Sequence, residues 1–135
     1  MASVNSQLLR KLYRFFRGKG DILVAYLFGS MAKGAAGRLS DVDIAVLTSK
    51  DRPLTLDDRL CLMGKLADIL RREVDVVALN EAPPLLRFEV IRWGKVLYCR
   101  DEAERIAFEE RAIDDYLDMN RIEKEYLECL LQGEK

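Results

Sequence analysis

The sequence predicts a small α/β (α+β) domain in which helices pack on a mixed β-sheet of about four strands. Short apolar runs typical of buried strands alternate with stretches in which apolar residues recur at helical spacing. The chain has 135 residues, of which 50% are hydrophobic and 33% charged, so it can bury a core and does not have a disordered composition. We expect one domain over residues 1–135, with a core over about 20–100 and a C-terminal helix over about 102–131.

The N-terminal part predicts one helix followed by two strands. Apolar residues at helical spacing over 4–17 indicate an amphipathic helix, which two glycines end. The runs "ILVAYLF" (22–28) and "VDIAVLT" (42–48) are short and apolar, as expected of buried strands. The stretch 29–37 between them predicts a loop, with one helical turn over 30–34.

The C-terminal part continues the alternation. Helical periodicity predicts helices over about 55–72, 83–93 and 102–131, the second of them opened by two prolines. The apolar runs "EVDVVAL" (73–79) and "KVLYC" (95–99) predict two further strands. This order fits a mixed sheet with helices on one face. The last helix carries a broad apolar stripe, which either packs back on the core or meets a partner.

Composition excludes several kinds of protein. The chain has no histidine, which removes histidine-based catalysis and histidine-containing zinc sites, so a bound metal needs oxygen ligands and is a hard cation such as Mg²⁺ or Mn²⁺. A net charge of −1 argues against binding of long nucleic acid. The three cysteines are far apart in the sequence, which predicts free thiols. No apolar run approaches the roughly 20 residues of a membrane span. We expect a soluble cytoplasmic protein.

Three aspartates occur where packing alone would favour apolar residues. Asp41 and Asp43 are two residues apart at the start of the second strand, so they share one face. Asp43 and Asp75 both have apolar neighbours along their strands, where an unpaired carboxylate is costly. If the two strands are adjacent, the three carboxylates converge on a site for one or two Mg²⁺ ions.

A possible phosphate site precedes the aspartates. Gly29 follows the first strand and allows close approach of a ligand to the backbone. If a helical turn starts at Ser30, its free amide groups face an anion, the Ser30 hydroxyl adds a donor, and Lys33 could reach a phosphate. Gly-Ser alone is more typical of an ordinary capped turn, but its combination with the three aspartates favours a site.

The stretch "GSMAKGAAGRLSDVDIAV" resembles the Gly-Ser-(ten residues)-Asp-x-Asp signature of the nucleotidyltransferase superfamily, which has the polymerase-β-like fold. Among its members, the short chain most resembles the minimal nucleotidyltransferases (MNT), in particular the MntA-type antitoxins paired with HEPN ribonuclease toxins. The motif-bearing resemblance covers about 26–79. Many such motifs carry arginines at the positions of Met31 and Lys33, so this chain has one positive charge fewer there.

The resemblance implies a role for each motif residue. The implied nucleotide-binding residues are Gly29, Ser30, Lys33 and Ser40. The implied catalytic and metal-binding residues are Asp41, Asp43 and Asp75. The first two aspartates would bind both metal ions, and the third would complete the metal site and help to deprotonate the acceptor hydroxyl.

The resemblance also implies a reaction and a partner. The chain would transfer AMP from ATP to a hydroxyl, with two Mg²⁺ ions as cofactors and pyrophosphate as the leaving group. The acceptor would be a tyrosine of a cognate HEPN toxin, with which the chain would form a hetero-oligomer as its antitoxin. Two alternatives stay open: an antitoxin that acts mainly by binding the toxin, and an enzyme that modifies a small molecule such as an aminoglycoside, for which the short chain leaves little room.

Overall fold

The structure is a computed structural model that describes residues 6–29 and 42–133. The helices in this part of the chain are α1 (Ser6–Arg17), α2 (Leu56–Leu70), α3 (Pro84–Trp93) and α4 (Glu102–Gly133). The strands in the same part are β1 (Ile22–Phe28), β2 (Val42–Thr48), β3 (Val74–Ala78) and β4 (Lys95–Cys99). Each of these elements confirms a predicted one. The helical turn predicted over 30–34 lies outside the described residues.

The four strands form one mixed sheet in the order β3-β2-β1-β4. β1 runs antiparallel to both β2 and β4, whereas β2 and β3 are parallel. The parallel pair is joined through α2, since parallel neighbours need a crossover connection. β3 and β4 are therefore the two edge strands, and β1 and β2 lie in the centre.

The helices cover both faces of the sheet, so the expectation of helices on one face is wrong. On one face, α1 and α2 bury Leu12, Phe16 and Leu66 against the sheet. On the other face, α3 and the start of α4 contribute Val90 and Phe108 to a second core. The physical reason is that β1 and most of β2 are apolar on both sides, and such central strands need cover on both faces.

The two halves of α4 behave differently. In the first half, Phe108 and Ala112 are buried, and Tyr116 stacks on Phe88 of α3 with ring centroids 3.8 Å apart. From 120 to 132 every residue is exposed in the described part of the chain. The prediction that this helix packs back on the core is confirmed for the first half, and contact of the exposed second half with a partner stays a prediction. We call the exposed apolar residues of the second half the tail stripe: Ile122, Tyr126, Leu127, Leu130 and Leu131.

A partly buried polar network joins α4 to the centre of the sheet. The Tyr26 hydroxyl donates to Glu109 Oε2 at 2.8 Å, and Arg105 donates to the same oxygen at 3.0 Å. Arg105 also donates to Glu102 at 2.7 Å. Burial and the Glu109 carboxylate raise the pKa of the Tyr26 phenol well above its usual range. Hydrogen bonds from Arg105 and Cys99 lower the pKa of Glu102 to about 2.

Replacing Tyr26 with phenylalanine is expected to destabilise the protein by about 1–2 kcal/mol, because one hydrogen bond to a charged acceptor is lost while the ring stays buried. In the wild type, Tyr26 keeps its proton when folded and loses it above pH of about 10 when unfolded, so its contribution to the free energy of unfolding falls as pH rises beyond that value. The Tyr26→Phe variant should lack this part of the alkaline decline. Urea denaturation between neutral pH and pH of about 11 tests both expectations, and an unchanged alkaline slope would contradict the second.

Two further sequence expectations can be compared with the structure. Cys61, Cys99 and Cys129 are free cysteines, as their spacing predicted. Across residues 6–29 and 42–133, no helix is both long enough and apolar enough to span a lipid bilayer.

Candidate functional site

The end of β1 and the start of β2 meet at one edge of the sheet. Phe28, the last residue of β1, is the antiparallel partner of Asp43. Gly29 follows with a φ of +78°, a conformation that favours glycine. A Cβ at position 29 would also collide with Asp43 Oδ2. The glycine is therefore required twice, by its backbone conformation and by the carboxylate that lies against it.

Asp75 lies beside Asp43 on the neighbouring strand. β2 and β3 run parallel, and Asp43 and Asp75 are Cα partners in their ladder. Their neighbours Val42, Ile44 and Val74 are buried in the core under α1 and α2. Since side chains alternate along a strand, both aspartates belong to the opposite face. The predicted adjacency of the second and third strands is therefore confirmed.

The two aspartates differ in exposure. Asp43 is half-buried, whereas 52% of the Asp75 side chain is exposed. The sequence had placed Asp75 in a buried strand, where a carboxylate is costly, and this expectation is wrong. β3 is an edge strand, so water reaches the Asp75 side chain even though its sequence neighbours are apolar.

Arg59 is a site residue that sequence reasoning missed. It lies in the first turn of α2, whose start is fixed by a capping box between Thr55 and Asp58. The Arg59 guanidinium forms an ion pair with Asp75, with Nη2 and Oδ1 3.6 Å apart. No local pattern marks this arginine, because its proximity to Asp75 arises only when α2 packs beside the edge strand.

Of the predicted site residues, the structure brings together Gly29, Asp43 and Asp75. The remaining four lie outside the described residues: Ser30, Lys33, Ser40 and Asp41. Their expected roles therefore stay predictions.

The donor set fits a hard cation. Asp43 and Asp75 offer carboxylate oxygens on adjacent strands, which are the ligands that Mg²⁺ prefers. Among residues 6–29 and 42–133, no group of three acidic, cysteine or histidine side chains is close enough to hold a metal alone. A complete site thus needs further oxygen ligands, which Asp41, water or substrate phosphates can supply.

Comparison with known proteins identifies the family. Residues 10–103, well over half of the chain, match the family model described as polymerase beta nucleotidyltransferase. The chain belongs to this nucleotidyltransferase family. Its strand order, Gly29 turn and strand aspartates are thus parts of a nucleotidyltransferase fold, which confirms the fold and the enzyme class that the sequence motif predicted.

Individual members of the family resemble the chain over most of its length. The protein adenylyltransferase MntA of Shewanella oneidensis is 39% identical over 100 residues, which are 73% of this chain and 68% of MntA. A chain of a toxin–antitoxin complex with AMP-PNP has 30% identity and a TM-score of 0.74, covering 95% of this chain and 99% of its own. A chain from tri-AMPylated Shewanella oneidensis HEPN toxin in complex with MNT antitoxin has 26% identity and a TM-score of 0.73, covering 93% and 97%.

Proposed function

We propose that this nucleotidyltransferase transfers AMP from ATP to a tyrosine hydroxyl of a cognate HEPN ribonuclease toxin and thereby acts as its antitoxin. The observation that carries the proposal is the likeness to MntA, a protein adenylyltransferase, at 39% identity over 73% of this chain. The likeness to toxin–antitoxin structures, one with AMP-PNP and one with a tri-AMPylated HEPN toxin, supports the nucleotide and the acceptor.

Each site residue has a task in this reaction. The turn from Gly29 to Ser30, with Lys33 and Ser40, holds the triphosphate. The tyrosine oxygen attacks the α-phosphorus, a P–O bond forms to AMP, and the bond to pyrophosphate breaks. Asp75 would accept the tyrosine proton, and its exposure and its position beside Asp43 support this role. The added AMP brings bulk and negative charge to the toxin, and the modified toxin can then no longer bind RNA.

Two Mg²⁺ ions complete the proposed site. Asp41 and Asp43 would hold both ions, and Asp75 would contribute to one of them, in keeping with a site built from oxygen ligands and no histidine. When bound, Mg²⁺ neutralises charge on the phosphates and on the departing pyrophosphate.

Label transfer from radioactive ATP tests the proposal. The purified chain is incubated with its cognate toxin, labelled ATP and Mg²⁺, and label on the toxin is measured. We expect label on a toxin tyrosine with the wild-type chain and none above background with Asp41→Asn/Asp43→Asn. Equal labelling by the wild type and the double variant would overturn the proposed catalytic site.

The Arg59 ion pair leads to a prediction about Mg²⁺. Removing a positive charge 3.6 Å from Asp75 should strengthen Mg²⁺ binding by about 1 kcal/mol, the size of one charge interaction in water. The Mg²⁺ concentration that gives half-maximal activity should therefore fall roughly fivefold. The variant is Arg59→Gln, and its stability should change by less than about 1 kcal/mol because the pair is exposed.

Arg52→Gln is the matched control for Arg59→Gln. Arg52 forms a similar but more exposed ion pair with Asp21, 3.5 Å long, and that pair lies at the far end of the sheet. The control should leave the Mg²⁺ dependence unchanged. If both variants shift it equally, or if neither does, the Arg59–Asp75 pair has no influence on metal binding.

The tail stripe favours a second candidate function, in which the chain neutralises its toxin by binding it. Tyr126 is 63% exposed, and it continues, five turns on, the helical face that Phe108 and Ala112 bury against the domain. An apolar helix face of this kind fits a groove or helix on a partner protein. The toxin is the partner that the toxin–antitoxin structures suggest.

Two variants separate catalysis from binding. Ile122→Gln/Tyr126→Gln should weaken complex formation with the toxin by at least about tenfold, since two exposed anchors of an interface are lost. Asp41→Asn/Asp43→Asn should keep binding. Growth rescue from the toxin by the aspartate variant would favour neutralisation by binding, and failure of rescue would favour AMP transfer. Unchanged binding by the tail variant would exclude the stripe from the interface.

A further inference from the structure

A cavity lies at the end of the sheet opposite to the aspartates. It has a volume of about 530 Å³ and lies between the end of α1, the start of β1 and α2. Ile22 begins β1 at this cavity, and Gly29 follows the other end of that strand. Seven strand residues separate the two places by about 20 Å, at roughly 3.3 Å per residue. The cavity is therefore distinct from the nucleotidyltransferase site.

Two lysines line this cavity: Lys19, which follows α1, and Lys65 in α2. Burial, together with contact from the Lys65 ammonium, lowers the pKa of Lys19. Lys19 also lies over the Phe15 ring, 5.1 Å from its centroid, which holds its side chain in place. In the described part of the chain neither lysine forms a salt bridge. Both ammonium groups therefore lie in one cavity, and neither has an ion-pair partner among the described residues.

The acidic residues of the cavity already have partners. Asp21 pairs with Arg52 at 3.5 Å, and Asp58 accepts the backbone N–H of Thr55 at 3.2 Å as part of the α2 capping box. The two lysines and Arg52 therefore outnumber the two carboxylates in a cavity that also has an apolar wall. The apolar part of the lining comprises Ile22, Pro53, Leu54 and Leu62.

We propose that this cavity binds a phosphate-bearing small molecule, with the phosphate between Lys19 and Lys65 and an apolar or aromatic body against the wall of the cavity. A phosphate dianion matches two neighbouring ammonium groups in charge, and lysine is a common point-charge ligand of phosphate. The volume exceeds that of a bare phosphate and falls in the range of small-molecule sites, about 300–1,000 Å³. This site goes beyond the proposed AMP transfer and does not depend on it.

Amide NMR titration with inorganic phosphate, at constant ionic strength and without toxin, tests the proposal. Saturable shifts are expected at Gly18, Gly20 and Lys65 of the wild-type chain, at phosphate concentrations in the millimolar range or below. Lys19→Gln/Lys65→Gln should abolish them. A second titration with a nucleoside monophosphate should saturate at lower concentration than phosphate, because its body reaches the apolar wall.

Lys11→Gln/Lys124→Gln is the matched control, since both lysines are exposed, neither lines the cavity, and the change in net charge is the same. The control should titrate like the wild type. If Lys19→Gln/Lys65→Gln does not give a folded spectrum, Lys65→Gln alone replaces it and should raise the saturation midpoint at least tenfold. Identical shifts in all variants, shifts that never saturate, or shifts confined to the region of Gly29 would each overturn the proposed site.

Discussion

Replacing Asp43 with asparagine is expected to lower the rate of AMP transfer by about 10²–10³-fold, or roughly 3–4 kcal/mol in transition-state stabilisation. Asp43 touches the Gly29 turn and is the ladder partner of Asp75, so it connects the proposed triphosphate site to the proposed base. Asparagine keeps the shape of the side chain and removes its charge. The measurement is a single-turnover rate of label transfer from ATP to the toxin.

Asp68→Asn is the control for Asp43→Asn, because it removes the same charge from an exposed position of α2 outside the site. It should transfer AMP at the wild-type rate. Both variants should unfold cooperatively in urea, which separates lost chemistry from lost structure. If folded Asp43→Asn reacts within a few fold of the control, Asp43 does not act on the reacting groups.

Replacing Gly29 with alanine should impair both stability and activity. The φ of +78° costs a residue with a side chain about 1–2 kcal/mol, and the new methyl group would displace the Asp43 carboxylate. A displacement of about 1 Å at a reacting centre can cost about 10²-fold in rate. We therefore expect a loss of 1–2 kcal/mol in the free energy of unfolding, measured in urea, and about a hundredfold loss in AMP transfer.

Gly64 provides a contrasting glycine in the same chain. It lies within α2, it is exposed, and a Cβ there would meet no atom within 4 Å. Gly64→Ala should therefore stabilise the protein by about 0.5–1 kcal/mol, because alanine is the better helix former. It should leave AMP transfer unchanged. If both glycine variants change stability and AMP transfer equally, position 29 does not specifically require glycine.

Much of the fold was predictable because local patterns carry it. The apolar runs 22–28 and 42–48 gave the bounds of β1 and β2, and helical periodicity gave all four helices. Local patterns did not predict that helices cover both faces of the sheet. A continuous apolar run indicates burial on both sides of a strand, but the order of helices along the chain does not say on which face each one packs.

The candidate site was likewise predictable only in part. The spacing between Gly29 and Asp43 was visible in the sequence, because a signature motif is local. The role of Asp75 required that β3 pair with β2, which the motif does not encode. Arg59 had no sequence signal, since it approaches Asp75 only through the packing of α2 beside an edge strand. Exposure of Asp75 likewise follows from strand order and not from its neighbours in the chain.

By itself, the sequence determined the family, the oxygen-only character of any metal site and the bounds of the secondary structure. These properties depend on residue type, spacing and periodicity, which are short-range. The tertiary structure alone decided which strand lies at the edge, where α4 leaves the domain, and that Lys19 and Lys65 line one cavity at the end of the sheet opposite to the aspartates. These depend on contacts between residues distant in the chain, which form only when the two cores pack on the sheet.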